Sequence, residues 1–145
     1  MQAAATSVRT TKVLIVEDNL DVADTLARFL HIGCGFDVAT ATDGVKGVRA
    51  AVFNPPDVVI IDIGLPKLNG LLVAEQIVQE LPHRPLLIVV TAFGDAATRS
   101  LAEEVGIDHF LTKPADPFVI EQLIEDHMGS GHAPFSEGES WREGI

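Results

Sequence analysis

Residues 58–70 read VVIIDIGLPKLNG, in which the apolar β-branched run Val58 to Ile61 ends abruptly in the carboxylate of Asp62. A run of this length, closed by Gly64 and Leu65-Pro66 as turn signals and followed by Asn69-Gly70 as the start of a helix, reads as a strand buried on both faces. An unpaired carboxylate in such a setting costs roughly several kcal/mol or stays protonated. Asp62 is therefore either a cap at the strand's end or the partner of something cationic.

Working outward, similar apolar runs stand at 12–16, 36–40, 57–61, 85–90 and 108–111. Segments of helical period separate them. Ala23, Leu26, Ala27 and Leu30 fall at i, i+3, i+4 and i+7, as do Ala74, Ile77, Val78 and Leu81, and Ile120, Leu123, Ile124 and His127. Each set places one apolar stripe on a helix. Weaker versions run over 45–52 and over 96–105, the latter closed by Gly106. Asp18 or Asn19 is the candidate cap of the first helix, and Asp116 with Pro117 opens the last. Five strands in strict alternation with five helices predict a parallel sheet covered on both faces. With five strands the expected α/β fold is flavodoxin-like and doubly wound, in the order 2-1-3-4-5, with ligands outside the carboxyl ends of the strands.

The chain has 145 residues, 47% of them hydrophobic, which suits one domain with a real core. Lys and Arg total 10 against 21 Asp and Glu, a formal net charge of -11, which argues against direct binding to nucleic acid. No apolar run approaches the roughly 18 residues of a membrane span, and MQAAATSVRTTK has no apolar signal core. A cytoplasmic protein is expected. A single cysteine, Cys34, leaves no intrachain disulfide and no cysteine-rich metal site. The expected organisation is a flexible N-terminus over 1–11, one folded domain over 12–127 and a flexible tail over 128–145, where Trp141 is an alternative anchor to the domain or a partner.

The carboxyl end of every predicted strand except the second carries a polar group. Glu17 and Asp18 follow the first, Asp62 the third, Thr91 the fourth and Lys113 the fifth. Taken singly, Asp18 reads as a cap, Thr91 as an ordinary strand residue and Lys113-Pro114 as a surface turn. Together at adjacent strand ends, they bring three carboxylates, a hydroxyl and an ammonium into one crevice. Two like charges about 4 Å apart repel by about 4 kcal/mol at an effective dielectric of about 20, and one lysine cannot offset three carboxylates. A divalent cation is implied. All-oxygen ligands fit Mg²⁺ or Mn²⁺ rather than zinc, with phosphate as the remaining partner. A carboxylate nucleophile that takes up a phosphoryl group suits such a site.

The motifs VLIVEDN, VVIIDIGLP, VVTA and FLTKP resemble, in order and spacing, the receiver domain of two-component response regulators. The likeness runs from Lys12 to about His127. It implies that Asp62 is the phosphoacceptor and that Glu17, Asp18, Asp62 and the backbone carbonyl of Gly64 hold Mg²⁺. It further implies that Thr91 bonds the phosphoryl group, that Lys113 pairs with it, and that the Lys113-Pro114 peptide is cis. Phe110 matches the aromatic switch position, whose ring turns inward as the threonine moves toward the phosphate. The implied partners are a histidine kinase or phosphotransfer protein, and a downstream protein at the face of helix 4, strand 5 and helix 5. The form DIGLP with HFLTKPADP is most similar to receivers attached to hybrid kinases and to their stand-alone relatives. Gly64 and Phe93 stand where family members vary water access, and Phe93 as a shield implies slow self-dephosphorylation, over minutes or longer.

Two rivals share parts of this pattern. An aspartate-nucleophile phosphatase usually has a second Asp two residues after the nucleophile as general acid, where this chain has Gly64. A flavin-binding module would need a hydroxyl- and glycine-rich loop after the first strand, where this chain has acidic EDN.

Overall fold

The computed structural model describes residues 9–65, 67–92 and 94–130, with only the backbone of Ser130. Strands β1 (Lys12–Val16), β2 (Asp37–Ala41), β3 (Val58–Ile61), β4 (Leu86–Thr91) and β5 (His109–Thr112) form one parallel sheet in the order β2-β1-β3-β4-β5. Between them run helices α1 (Leu20–Arg28), α2 (Gly44–Phe53), α3 (Gly70–Glu80) and α4 (Ala96–Val105), with α5 (Pro117–Ser130) after β5. The chain falls into two compact units. One closes at Ala115 and holds the sheet with α1 to α4; the other opens at Asp116 and holds α5.

Side-chain alternation explains why the central strands are apolar throughout. Leu14, Val16, Val59, Ile61 and Leu87 cluster with Val48 and Ala51 of α2 and with Val73, Ala74 and Ile77 of α3. Their sequence neighbours point to the opposite face, where Ile15 and Ile60 share a small cavity with Val22 and Leu26 of α1. All four residues of β3 are buried. Such a strand offers no polar face, so its chemistry can lie only at its ends.

Each helix in the first unit starts on a side-chain cap. Asn19 accepts from Val22 N, Asp43 from Lys46 N, Asn69 from Leu71 N and Asp95 from Thr98 N, satisfying backbone donors that a first turn leaves open. Asn19, rather than Asp18, is thus the cap of α1. In the second unit, Asp116 accepts from Phe118 N at 2.9 Å. Asp43 is buried and has a second partner in Lys67 Nζ at 3.5 Å. The Lys46 backbone bond is the largest influence and, with the smaller help of the Lys67 charge, outweighs burial and holds the Asp43 carboxyl below its ordinary value. Lys67 itself sits at φ 71, a left-handed conformation uncommon for a residue with a side chain.

Element ends differ from the sequence reading by single residues. β2, β4 and β5 begin and end one position later, because the parallel ladder pairs Ala41 with Val16 and Thr91 with Thr112. Thr91 therefore closes β4 rather than following it. The first stripe runs on past α1 into a π-helical turn, Phe29–Gly33, where Leu30 is fully buried. Phe36 N returns to Leu30 O at 3.1 Å with Gly35 at φ 78, so glycine freedom closes that turn. In α5 the buried positions are Ile120 and Ile124, while His127 is exposed. Among the described residues, no helix is long and apolar enough to cross a membrane. Residues 1–8, Pro66, Phe93 and 131–145, with the water-shielding role read for Phe93 and the anchoring role of Trp141, lie outside the described residues.

Candidate functional site

The sheet hydrogen bonding continues one step past the strands and fixes the backbone of the site. Glu17 N donates to Ala41 O at 3.0 Å, Asp62 N to Val16 O at 3.1 Å and Lys113 N to Thr91 O at 2.8 Å. Glu17, Asp62 and Lys113 thus leave the same edge of the sheet at fixed heights. Their side chains then meet. Lys113 Nζ donates to Glu17 Oε1 at 2.7 Å and to Asp62 Oδ2 at 3.0 Å. Glu17 Oε2 accepts from Asn19 N at 3.0 Å, and Asp62 Oδ1 from Gly64 N at 3.1 Å. The cap of α1 therefore also orients Glu17.

Glu17 and Asp62 are buried, whereas Asp18 is exposed, and all three present carboxylate oxygens within 4.8 Å of one another. Thr91 is fully buried at the end of β4. Gly64, in the turn after β3, is exposed. The Lys113-Pro114 peptide is cis. Phe110 is half-buried beside Ile63, Leu71, Val89 and Ala102. The structure thus brings Glu17, Asp18, Asp62 and Lys113 into one cluster, with Gly64 bonded to Asp62.

Among the described residues the cluster sets three carboxylates against one ammonium. The donor set is oxygen only, which suits a hard divalent cation. Burial is the largest influence on Lys113 and favours loss of its proton, but the hydrogen bonds and charges of Glu17 and Asp62 together outweigh it. Its pKa is raised above the ordinary 10.5. An ammonium favoured in this way contributes stability that is fully present below pH 10.5 and lost as pH rises through the folded-state value. Lys113→Met is accordingly expected to lower the urea midpoint at pH 7 and to converge on wild type above pH 10.5. Parallel midpoint curves across that range would contradict this account.

Sequence reasoning missed three contributors. Asp43-Gly44 carries an ordinary capping signal, but its burial and its link to Lys67 have no local signature. The contact of Arg99 with the Phe110 ring, at 4.6 Å from guanidinium carbon to centroid, depends on how α4 lies against β5. Gly70 was read only as a helix start. A Cβ there would lie 2.2 Å from the carbonyl oxygen of Asp62.

A doubly wound parallel sheet with an acidic cluster and a lysine at its carboxyl edge defines an α/β module whose candidate site lies outside the carboxyl ends of its strands. The family model described as response regulator receiver domain matches residues 13–125, and the chain belongs to that family, the receivers of two-component signal transduction. The transcriptional regulatory protein PrrA of Mycobacterium tuberculosis is 35% identical over 119 residues, covering 82% of this chain and 49% of PrrA. The response regulator MprA of Mycobacterium sp. strain KMS is 34% identical over 113 residues, covering 78% and 47% of the two chains. The chain thus spans about half the length of these curated relatives. Among solved structures, the N-terminal domain of an uncharacterized protein from Wolinella succinogenes is 34% identical with a TM-score of 0.76, covering 82% and 94%. A response regulator receiver domain protein from Clostridium thermocellum is 28% identical with a TM-score of 0.73, covering 83% and 96%. The phosphatase alternative finds no support, since these relatives are regulators and receivers and Gly64 supplies no acid.

Proposed function

We propose that Asp62 accepts a phosphoryl group from the phosphohistidine of a histidine kinase or phosphotransfer protein. The supporting observation is a buried Asp62 carboxylate held by Lys113 and Gly64 N, with the oxygens of Glu17 and Asp18 within 4.8 Å. In the transfer, a carboxylate oxygen forms the bond to phosphorus as the phosphorus–nitrogen bond breaks, and the electron pair leaves with the donor imidazole, which is then protonated. Glu17, Asp18, Asp62 and the carbonyl of Gly64 would hold Mg²⁺, with Mn²⁺ as a substitute, and the cation supplies charge stabilisation for the transferring group. Lys113 would pair with the bound phosphoryl oxygens and Thr91 would donate its hydroxyl to them, while Phe110 serves as the switch ring.

In this reading the chain is a switch acting in the cytoplasm, with 12–127 as its folded domain, and is not an enzyme turning over an external substrate. Its output is docking to a downstream protein through a face that includes α4 and β5, or relay of the phosphoryl group. Incubation with acetyl phosphate and Mg²⁺ is expected to add one phosphoryl group by intact mass, and excess EDTA is expected to abolish the addition. Equal labelling with and without EDTA would remove the cation from the proposal.

A further inference from the structure

The connection from Thr91 to α4 is braced by one side chain of that helix. Arg99, one turn into α4, donates Nε to the carbonyl oxygen of Gly94 at 3.3 Å. Its guanidinium carbon lies 4.6 Å from the centroid of the Phe110 ring on β5. Gly94 is also close to β5, since a Cβ there would come within 2.6 Å of Thr112 Cγ2. Arg99 thus ties together the loop that follows Thr91, the helix that follows the loop and the aromatic ring on the next strand.

The choice of partner is informative. An exposed arginine on a helix can pair with an acid four residues away, and Asp95 before it and Glu103 after it are both exposed acids. In a chain of net charge -11, Arg99 instead turns to a carbonyl and a ring. The ring face attracts the cation through its quadrupole, and the planar guanidinium covers the ring while its Nε holds the loop.

We propose that Arg99 is a positioning residue that holds Gly94 and the Phe110 ring in the arrangement seen here. This arrangement competes with the one in which Thr91 reaches a phosphoryl group on Asp62. The proposal rests on the reading of Asp62, Thr91 and Phe110 given above. Part of the affinity of the site for a phosphoryl group is then used to break the Arg99 contacts, and removing them makes that binding tighter.

Beryllium fluoride with Mg²⁺ is the probe, titrated calorimetrically into the full chain. Arg99→Met, which keeps length and loses charge, is expected to bind about two- to fivefold more tightly than wild type, the scale of an exposed cation–π contact. Arg99→Lys, which keeps the cation, is expected to fall between the two. Urea midpoints of all three proteins accompany the titrations, because a merely structural role would lower stability without ordering affinity by charge. Unchanged or weaker binding in Arg99→Met, or equal shifts in the Met and Lys variants, overturns the role of Arg99. Absence of binding by wild type, together with absence of labelling by acetyl phosphate, overturns the underlying reading instead.

Discussion

Asp62→Asn is expected to show no mass increase after incubation with acetyl phosphate and Mg²⁺, under conditions where wild type gains one phosphoryl group. The amide is nearly the same shape, and its oxygen can still accept the Gly64 N–H that Asp62 Oδ1 accepts at 3.1 Å. Folding is therefore expected to survive. What disappears is the nucleophile, since a neutral amide oxygen does not attack phosphorus as a carboxylate does. One of the three clustered carboxylates goes with it, which weakens any cation site as well. Lys113 keeps a partner in Glu17 at 2.7 Å, so the variant leaves no ammonium stranded. Labelling of Asp62→Asn to the wild-type extent would mean that another residue is the acceptor and would sink the assignment.

Gly70→Ala is expected to destabilise the protein by about 2–4 kcal/mol, the upper range for overpacking a site that cannot yield. The added Cβ would stand 2.2 Å from the carbonyl oxygen of Asp62 and 2.7 Å from the Cα of Ile63. Both neighbours are backbone, so no side chain can swing away. Gly70 N also donates to Ile63 O at 3.0 Å, and α3 therefore begins in direct contact with the turn that follows the proposed acceptor. Relief requires α3 to move outward or Asp62 to move, and either shift is expected to slow labelling by acetyl phosphate. Gly129, in α5, is the control, since a Cβ there meets nothing within 4 Å. There alanine is expected to be neutral or stabilising by up to about 1 kcal/mol, as helix propensity dictates. A Gly70→Ala urea midpoint equal to wild type would refute the packing argument.

The strands and most helix faces were legible because burial imposes a period. Val58 to Ile61 had to be covered on both sides, and Ala74 and Ile77 had to share a face. The clustering of Glu17, Asp18, Asp62 and Lys113 was legible for a related reason, since polar groups at the ends of buried strands need partners. Less could be read where two local signals were equivalent. Asp18 and Asn19 are both competent caps, and only the backbone geometry assigns capping to Asn19 and leaves Asp18 to the acidic cluster. The π turn at Phe29–Gly33 leaves the apolar stripe almost unchanged, so hydrophobic spacing does not reveal it.

By itself, then, the sequence determined the alternation of strands and helices, the sheet order expected of it, and the residue types waiting at the carboxyl ends. These follow from period and polarity, which act over a few residues. The tertiary structure decided the contacts that depend on register and helix placement: Lys113 lying between Glu17 and Asp62, Lys67 reaching buried Asp43, Gly70 against the Asp62 carbonyl, and Arg99 over Phe110. The two members of the Lys113–Glu17 bond are 96 positions apart in the chain. A hydrogen bond tolerates only tenths of an ångström, and that precision exists only once the sheet has set the relative heights of its strands.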